Sequence, residues 1–175
     1  MTSIALTAER GTGKTTLAIA AAERLGARHI SVSGWLTAHL EACGIASTSD
    51  ALRAAGEEAA SDPARLVEQS LRYSGWRPGE SVVFDAIRHK DVLVALRAIV
   101  APNPVFHVAV VLGENARVAR LVRRGDVAAV EFGRGHSTEI EIPALVRAAD
   151  FVLDGGLTVD ELILRIAEET GHALR

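Results

Sequence analysis

The residues with the clearest chemical content are Ala8-Glu9-Arg10-Gly11-Thr12-Gly13-Lys14-Thr15-Thr16. An apolar run, Ser3–Thr7, leads into them, and an Ala- and Leu-rich stretch, Thr15–Leu25, comes after. A glycine-rich turn between a strand and a helix lets successive backbone N–H groups cradle a phosphate chain. Gly11 and Gly13 permit left-handed backbone, and the helix N-terminus adds partial positive charge. Lys14 is spaced to reach the β- and γ-phosphates of a nucleotide, and the Thr15 hydroxyl to coordinate Mg²⁺. Glu9, Arg10, Thr12 and Thr16 complete the expected nucleotide-binding loop. Ala8 stands where the usual pattern has Gly, a mild departure if that position needs no positive φ. A chance glycine turn before a helix is the bland alternative, and Gly-Lys-Thr directly after an N-terminal strand weighs against it.

A loop of this kind needs a second acid. Ser81-Val82-Val83-Phe84-Asp85 ends an apolar strand on a carboxylate, and such an acid binds Mg²⁺ beside a phosphate loop. Asp85 could also cap a helix or receive an acceptor's proton, and spacing does not separate these uses. Arg88 lies three residues on and suits bidentate binding of a substrate phosphate. A surface salt bridge is its alternative use. His89 reads as a polar helix-start residue.

Arg117, Arg120 and Arg124 recur at i, i+3 and i+7, which places three guanidinium groups on one helical face. Such a cluster can neutralise a transferring phosphoryl group. A solvated basic helix is the alternative, helped by cations near the helix C-terminus. The next segment, 126–138, holds Gly133-Arg134-Gly135-His136 and has no periodicity. It suits either a flap that excludes water or a passive loop.

The elements that must position these residues alternate along the chain. Strands are expected at Ser3–Thr7, His29–Ser33, Ser81–Phe84, Val105–Leu112 and Phe151–Leu153. Helices are expected at Thr15–Leu25, Leu36–Ala42, Asp50–Ala60, Pro63–Tyr73, His89–Val100, Glu114–Arg124 and Thr158–Glu169. Strand–helix alternation predicts an α/β fold with a parallel sheet and helices on both faces. The unbroken apolar run Val105–Leu112 suits a strand buried on both sides. The all-helical stretch 44–79 interrupts the rhythm.

The chain has 175 residues, 49% of them hydrophobic and 23% charged, with a net charge of −3. These values fit one folded domain and disfavour disorder. The negative balance and 4% aromatic content disfavour a nucleic-acid backbone as partner. The single cysteine, Cys43, excludes an internal disulfide and any Cys-rich metal site. The N-terminus lacks a signal-peptide pattern, and no apolar run is long enough to span a bilayer. A cytoplasmic protein, monomer or homodimer, is expected. Trp35 and Trp76 read as packing residues rather than ring-stacking ones.

Together, Gly11-Thr12-Gly13-Lys14-Thr15, Val82-Val83-Phe84-Asp85-Ala86-Ile87-Arg88, Arg117-x-x-Arg120-x-x-x-Arg124 and Ala149-Asp150-Phe151-Val152-Leu153-Asp154-Gly155 resemble the small P-loop kinases of the nucleoside monophosphate kinase type. That group includes dephospho-CoA kinase and phage deoxynucleoside monophosphate kinases. The similarity in pattern runs over nearly the whole chain, and only the phosphate loop is specific by itself. The resemblance implies the P-loop NTPase fold: five parallel strands, a helical acceptor-binding region at 34–79 and a lid at 113–139. It implies ATP and Mg²⁺ as cofactors and a small phosphorylated acceptor, a nucleotide by preference. Asp154 and Gly155, after the last strand, are implied at the adenine, with Arg117 on the nucleotide. Arg53 is implied at the acceptor phosphate, and a surface helix arginine is its other reading. The paired lid aspartates of many such kinases are missing, although Asp126 and Glu139 are available. The competing class is an ATPase or nucleotide switch without an acceptor. The Asn-Lys-x-Asp signature of guanine recognition is absent.

Overall fold

The computed structural model describes residues 2–85, 87–125 and 140–174. Its strands are β1 (Ser3–Ala8), β2 (Arg28–Ser31), β3 (Val82–Asp85), β4 (Val105–Val111) and β5 (Phe151–Asp154). Between and after them run α1 (Lys14–Leu25), α2 (Val32–Ala42), α3 (Ser49–Ala60), α4 (Pro63–Tyr73), α5 (Lys90–Ile99), α6 (Glu114–Arg123), α7 (Ile142–Arg147) and α8 (Val159–Thr170). The sheet order is β2-β3-β1-β4-β5, with every neighbouring pair parallel. From β1 the chain crosses to the edge strand β2, returns to β3 beside β1, and then passes to β4 and β5 on the other side of β1. The reversal leaves a crevice beyond the C-terminal end of β1, where such sheets bind ligands.

All six residues of β1 are buried, because apolar clusters cover both sheet faces. Ile4, Leu6 and Ala8 pack against α1 and α8 through Leu17, Ala21, Ile163 and Ile166. Ala5, Ile30 and Phe84 face the other way, against Leu66, Val67, Leu71, Leu96 and Leu145. Each fully buried Leu, Ile or Phe contributes about 1.5–3 kcal/mol. The period-2 geometry of a strand sends alternate residues to opposite clusters. Removal of one face would therefore strand half of each strand's side chains in water.

Most element boundaries lie within two residues of the sequence expectation. Strand β2 is the informative difference. It ends at Ser31 because the Ser31 hydroxyl accepts a hydrogen bond from Gly34 N at 3.0 Å. That bond caps α2 at Val32, where the sequence suggests continued strand. The sequence gives no sign of the short helix α7. Ile142 and Leu145 are buried and Pro143 sits in its first turn, yet six residues are too few to show a period. Residues 126–139, which hold Asp126, the Gly133–His136 run and Glu139, lie outside the described residues. No helix among the described residues is long and apolar enough to cross a membrane.

Candidate active site

The phosphate loop is shaped by its glycines and by what lies on them. Gly11 and Gly13 adopt φ values of 92° and 94°, which favour glycine strongly. A Cβ on Gly11 would stand 2.8 Å from Leu121 Cγ and 3.1 Å from Arg117 Cγ, so α6 packs directly on the loop. Thr12 is buried, and its hydroxyl donates to the Glu9 carbonyl at 2.9 Å, closing the turn. Ala8 is the last residue of β1, paired in register with Val110 and buried. Extended backbone at that position suits alanine as well as glycine, which explains the departure from the usual pattern. Gly13 is the N-cap of α1 and supplies no side-chain cap. The first N–H groups of α1 therefore remain suited to an anion.

Strand register brings the second acid to this loop. Leu6 pairs with Asp85, so β3 ends beside the end of β1. Lys14 forms an ion pair with the buried Asp85 carboxylate. Burial alone would raise the Asp85 pKa. His29, the Lys14 charge and hydrogen bond, and the Thr15 hydroxyl outweigh it and hold the carboxyl well below the ordinary range. Asp85 is thus a fixed anion with a cation and a hydroxyl on it, the donor chemistry of a small hard metal ion. The Arg88 charge also bears on Lys14, which puts Arg88 at the same end of the sheet.

Two of the three arginines of the helical face reach the loop. Arg120 donates to the Thr12 carbonyl at 2.7 Å and to the Gly155 carbonyl at 3.0 Å. It thereby joins the phosphate loop to the turn after β5. Arg117 pairs with Glu9 at 3.0 Å and donates to the Arg10 carbonyl at 3.3 Å. Arg124 is the C-cap of α6 and is exposed. Among the described residues it bonds none of the loop. Residue 124 comes four positions after Arg120, yet α6 ends between them, so the shared face stops at the helix end.

The remaining residues singled out in the sequence fall in four places. Thr16 is exposed on the first turn of α1. Gly155 lies in the turn after β5, where its N–H donates to Val111 O at 2.7 Å and a Cβ would crowd that oxygen at 3.1 Å. Asp154 turns back on that loop and accepts from Gly156 N at 2.8 Å. Arg53 bonds Asp50 at 3.0 Å, one turn back on its own helix, rather than the phosphate loop. His89 occupies the N-cap position of α5, paired with Glu141 at 2.9 Å. Glu141 also accepts from Lys90 N at 2.9 Å, so it caps α5 from a distance.

Sequence reasoning misses His29. Its Nε2 lies 3.8 Å from Asp85 Oδ2, within ion-pair reach and too long for a hydrogen bond. His29 pairs with Val83, two residues before Asp85, so the two side chains leave the sheet on one face. No local motif marks His29. Only the β2–β3 register does. Sequence reasoning also misses Glu9 as the partner of Arg117.

No family model matches the chain, and no curated protein matches it. Solved structures do. The APS kinase of Mycobacterium tuberculosis, solved with AMPPNP and APS, superposes with a TM-score of 0.64 and 15% identity, over 97% of each chain. Shikimate kinase from Bacteroides thetaiotaomicron gives 0.62 and 14% identity, over 97% of this chain and 98% of that one. A sugar kinase from Janibacter gives 0.56 and 17% identity, over 99% of this chain and 96% of that one. At these identities the likeness shows the fold alone: a five-stranded parallel sheet with helices on both faces, which this chain shares with these three kinases.

Proposed function

We propose that this protein is a kinase that transfers a phosphoryl group from ATP to a small acceptor, with a nucleoside or deoxynucleoside monophosphate as the acceptor class. One observation carries the reading: Lys14, Thr15 and Asp85 meet at the switch point of the sheet, with Arg120 seated on the loop beside them. The nucleotide phosphates would lie along residues 8–16. The turn at Asp154 and Gly155, with Arg117, would border the base. Among the described residues no cluster of three or more His, Cys, Asp or Glu is placed to hold a metal. A Mg²⁺ ion here would take oxygens from Thr15, Asp85, the phosphates and water, as that ion prefers. When bound it would neutralise charge on the phosphates.

The chain's own residues do the rest by position and charge. Phosphoryl transfer asks little covalent chemistry of a protein. Lys14 would exchange its bond to Asp85 for phosphate oxygens. Arg120 and Arg88 would oppose charge that spreads over the transferring group. Asp85, kept ionised, would order the metal or accept the acceptor's proton. Strand β2 ends at Ser31, in register with Asp85, so the 34–79 region opens beside the reacting group. That placement supports an acceptor site there. The nucleotide class rests on the sequence resemblance. The three structural neighbours are kinases for APS, shikimate and a sugar, so a non-nucleotide acceptor belongs in the test.

The test is ADP formation from MgATP across ribo- and deoxyribonucleoside monophosphates, dephospho-CoA, sugars and other small hydroxylated acceptors. ADP that appears with one acceptor class establishes the kinase and names its substrate. Slow ADP formation indifferent to every acceptor replaces this reading with an ATPase or switch.

A further inference from the structure

A buried polar chain runs beneath the site. His107 on β4 and Thr7 on β1 are both 0% exposed, on the same sheet face as Ala5 and its apolar cluster. His107 Nε2 lies 2.8 Å from Thr7 Oγ1, and Thr7 Oγ1 donates to the Ile87 carbonyl at 3.1 Å. Thr7 has one hydroxyl proton, and the Ile87 carbonyl takes it. With that proton on Ile87 O, the arrangement has His107 donate to Thr7 Oγ1 through Nε2–H. Burial also pushes the imidazole pKa below its ordinary value, against the opposing pull of the Ala148 backbone and the Asp150 charge. A neutral single-tautomer ring requires that direction.

The far end of this chain matters most. Strand β3 stops at Asp85, so regular sheet pairing no longer holds the residues beyond it. Ile87 N donates to Leu6 O at 3.0 Å, and the Thr7 hydroxyl takes Ile87 O. These two bonds fasten Ile87 to the last residues of β1, next to the phosphate loop. Arg88 comes directly after. Without the hydroxyl, the buried Ile87 carbonyl would lose its partner and the residue one of its two ties.

We propose that His107 is a positioning residue: through Thr7 it fixes Ile87, and with it the neighbouring Arg88, against the phosphate loop, and so sets the metal-dependent grip on the nucleotide. The proposal rests on the reading of Asp85 as a metal ligand. His107 is far along the chain from every motif, and it touches no reacting group.

The test is titration with a fluorescent ATP analogue, with and without Mg²⁺, alongside thermal unfolding. The proteins are wild type, Thr7→Val, Thr7→Ser, His107→Leu and His107→Gln. Gln places an amide N–H near the imidazole Nε2 and keeps the donor, whereas Leu removes it. The Mg²⁺-dependent affinity should fall about tenfold in Thr7→Val and His107→Leu. Affinity without Mg²⁺ should change less than about twofold, and Thr7→Ser and His107→Gln should restore the difference. Equal losses with and without Mg²⁺ would assign the pair to packing alone and overturn the proposal. So would wild-type Mg²⁺ dependence in Thr7→Val. If wild type itself binds no tighter with Mg²⁺, the metal reading of Asp85 fails and the positioning role falls with it. Should His107→Leu not fold, the near-isosteric Thr7→Val and its Thr7→Ser partner carry the test.

Discussion

In the proposed function the phosphate loop and helix α3 would each offer a cation to a phosphate group, Lys14 in one and Arg53 in the other. The loop is held by strand β1 below, by Leu121 of α6 against Gly11, and by Arg120 across its carbonyls. Its lysine meets a carboxylate from a different strand. Helix α3 buries no residue fully. It rests on its neighbours through the partly buried Leu52, Ala55 and Ala59, and its arginine bonds the acid one turn back. Charges fixed by backbone and sheet need no reorganisation when a reaction develops charge, and that is where transition-state stabilisation is strongest. A cation on a lightly packed helix can instead follow the shape of whatever docks. Under the proposed function, the difference assigns the phosphoryl chemistry to the loop and the choice of acceptor to the 34–79 region.

The largest test of this contrast is Lys14→Ala. Phosphoryl transfer, measured as ADP release with the acceptor that the screen identifies, should fall about 10³-fold. The substitution also leaves Asp85 buried without its cation, so unfolding by urea should show a loss of about 3 kcal/mol. Wild-type turnover in this variant would remove the loop from the chemistry.

Arg120→Ala comes next. It breaks the link from the phosphate loop to the Gly155 turn, and transfer should fall about 10²-fold with little change in far-UV circular dichroism. A rise in the KM for the acceptor alone would move Arg120 to the other region.

Acid titration sharpens the contrast through Asp85. Its folded pKa lies below the unfolded value, so its stabilisation is complete above the ordinary carboxylate range and is lost as pH falls through it. Below about pH 4, as pH falls from the unfolded carboxylate value toward the depressed folded one, urea midpoints of the wild type should drop more steeply than those of Asp85→Asn. Parallel slopes would show that the carboxylate is not held by Lys14, His29 and Thr15.

The smallest effects belong to the acceptor side. Arg53→Ala should change stability by no more than about 0.5 kcal/mol, because an exposed i,i+3 pair contributes little. Arg88→Ala should raise the KM for the acceptor more than Arg53→Ala does. The reverse order would put Arg53 on the acceptor phosphate, released from Asp50.

Legibility in the sequence divides along the same line. The loop, its strand and its helix are readable because glycine spacing, Lys14 and Thr15 act over a short stretch of chain. Asp85 is readable as the polar end of an apolar strand, and Arg117 and Arg120 as helical neighbours. The limit of the arginine face at Arg124 is set locally by Gly125, whose φ of 73° ends α6, whereas the seating of α6 on the loop is not legible in the spacing. Helix α7 is too short to show a period.

The sequence by itself determined the strand–helix alternation, the two-faced burial of the sheet and the phosphate loop, since each depends on residues close along the chain. Only the tertiary structure decided which distant residues meet. The β2–β3 register put His29 beside Asp85. The β1–β4 register put His107 under Thr7. The seating of α6 chose Arg117 and Arg120 over Arg124. Parallel pairing between strands dozens of residues apart leaves no spacing signal, because the intervening helices can vary in length without altering the register.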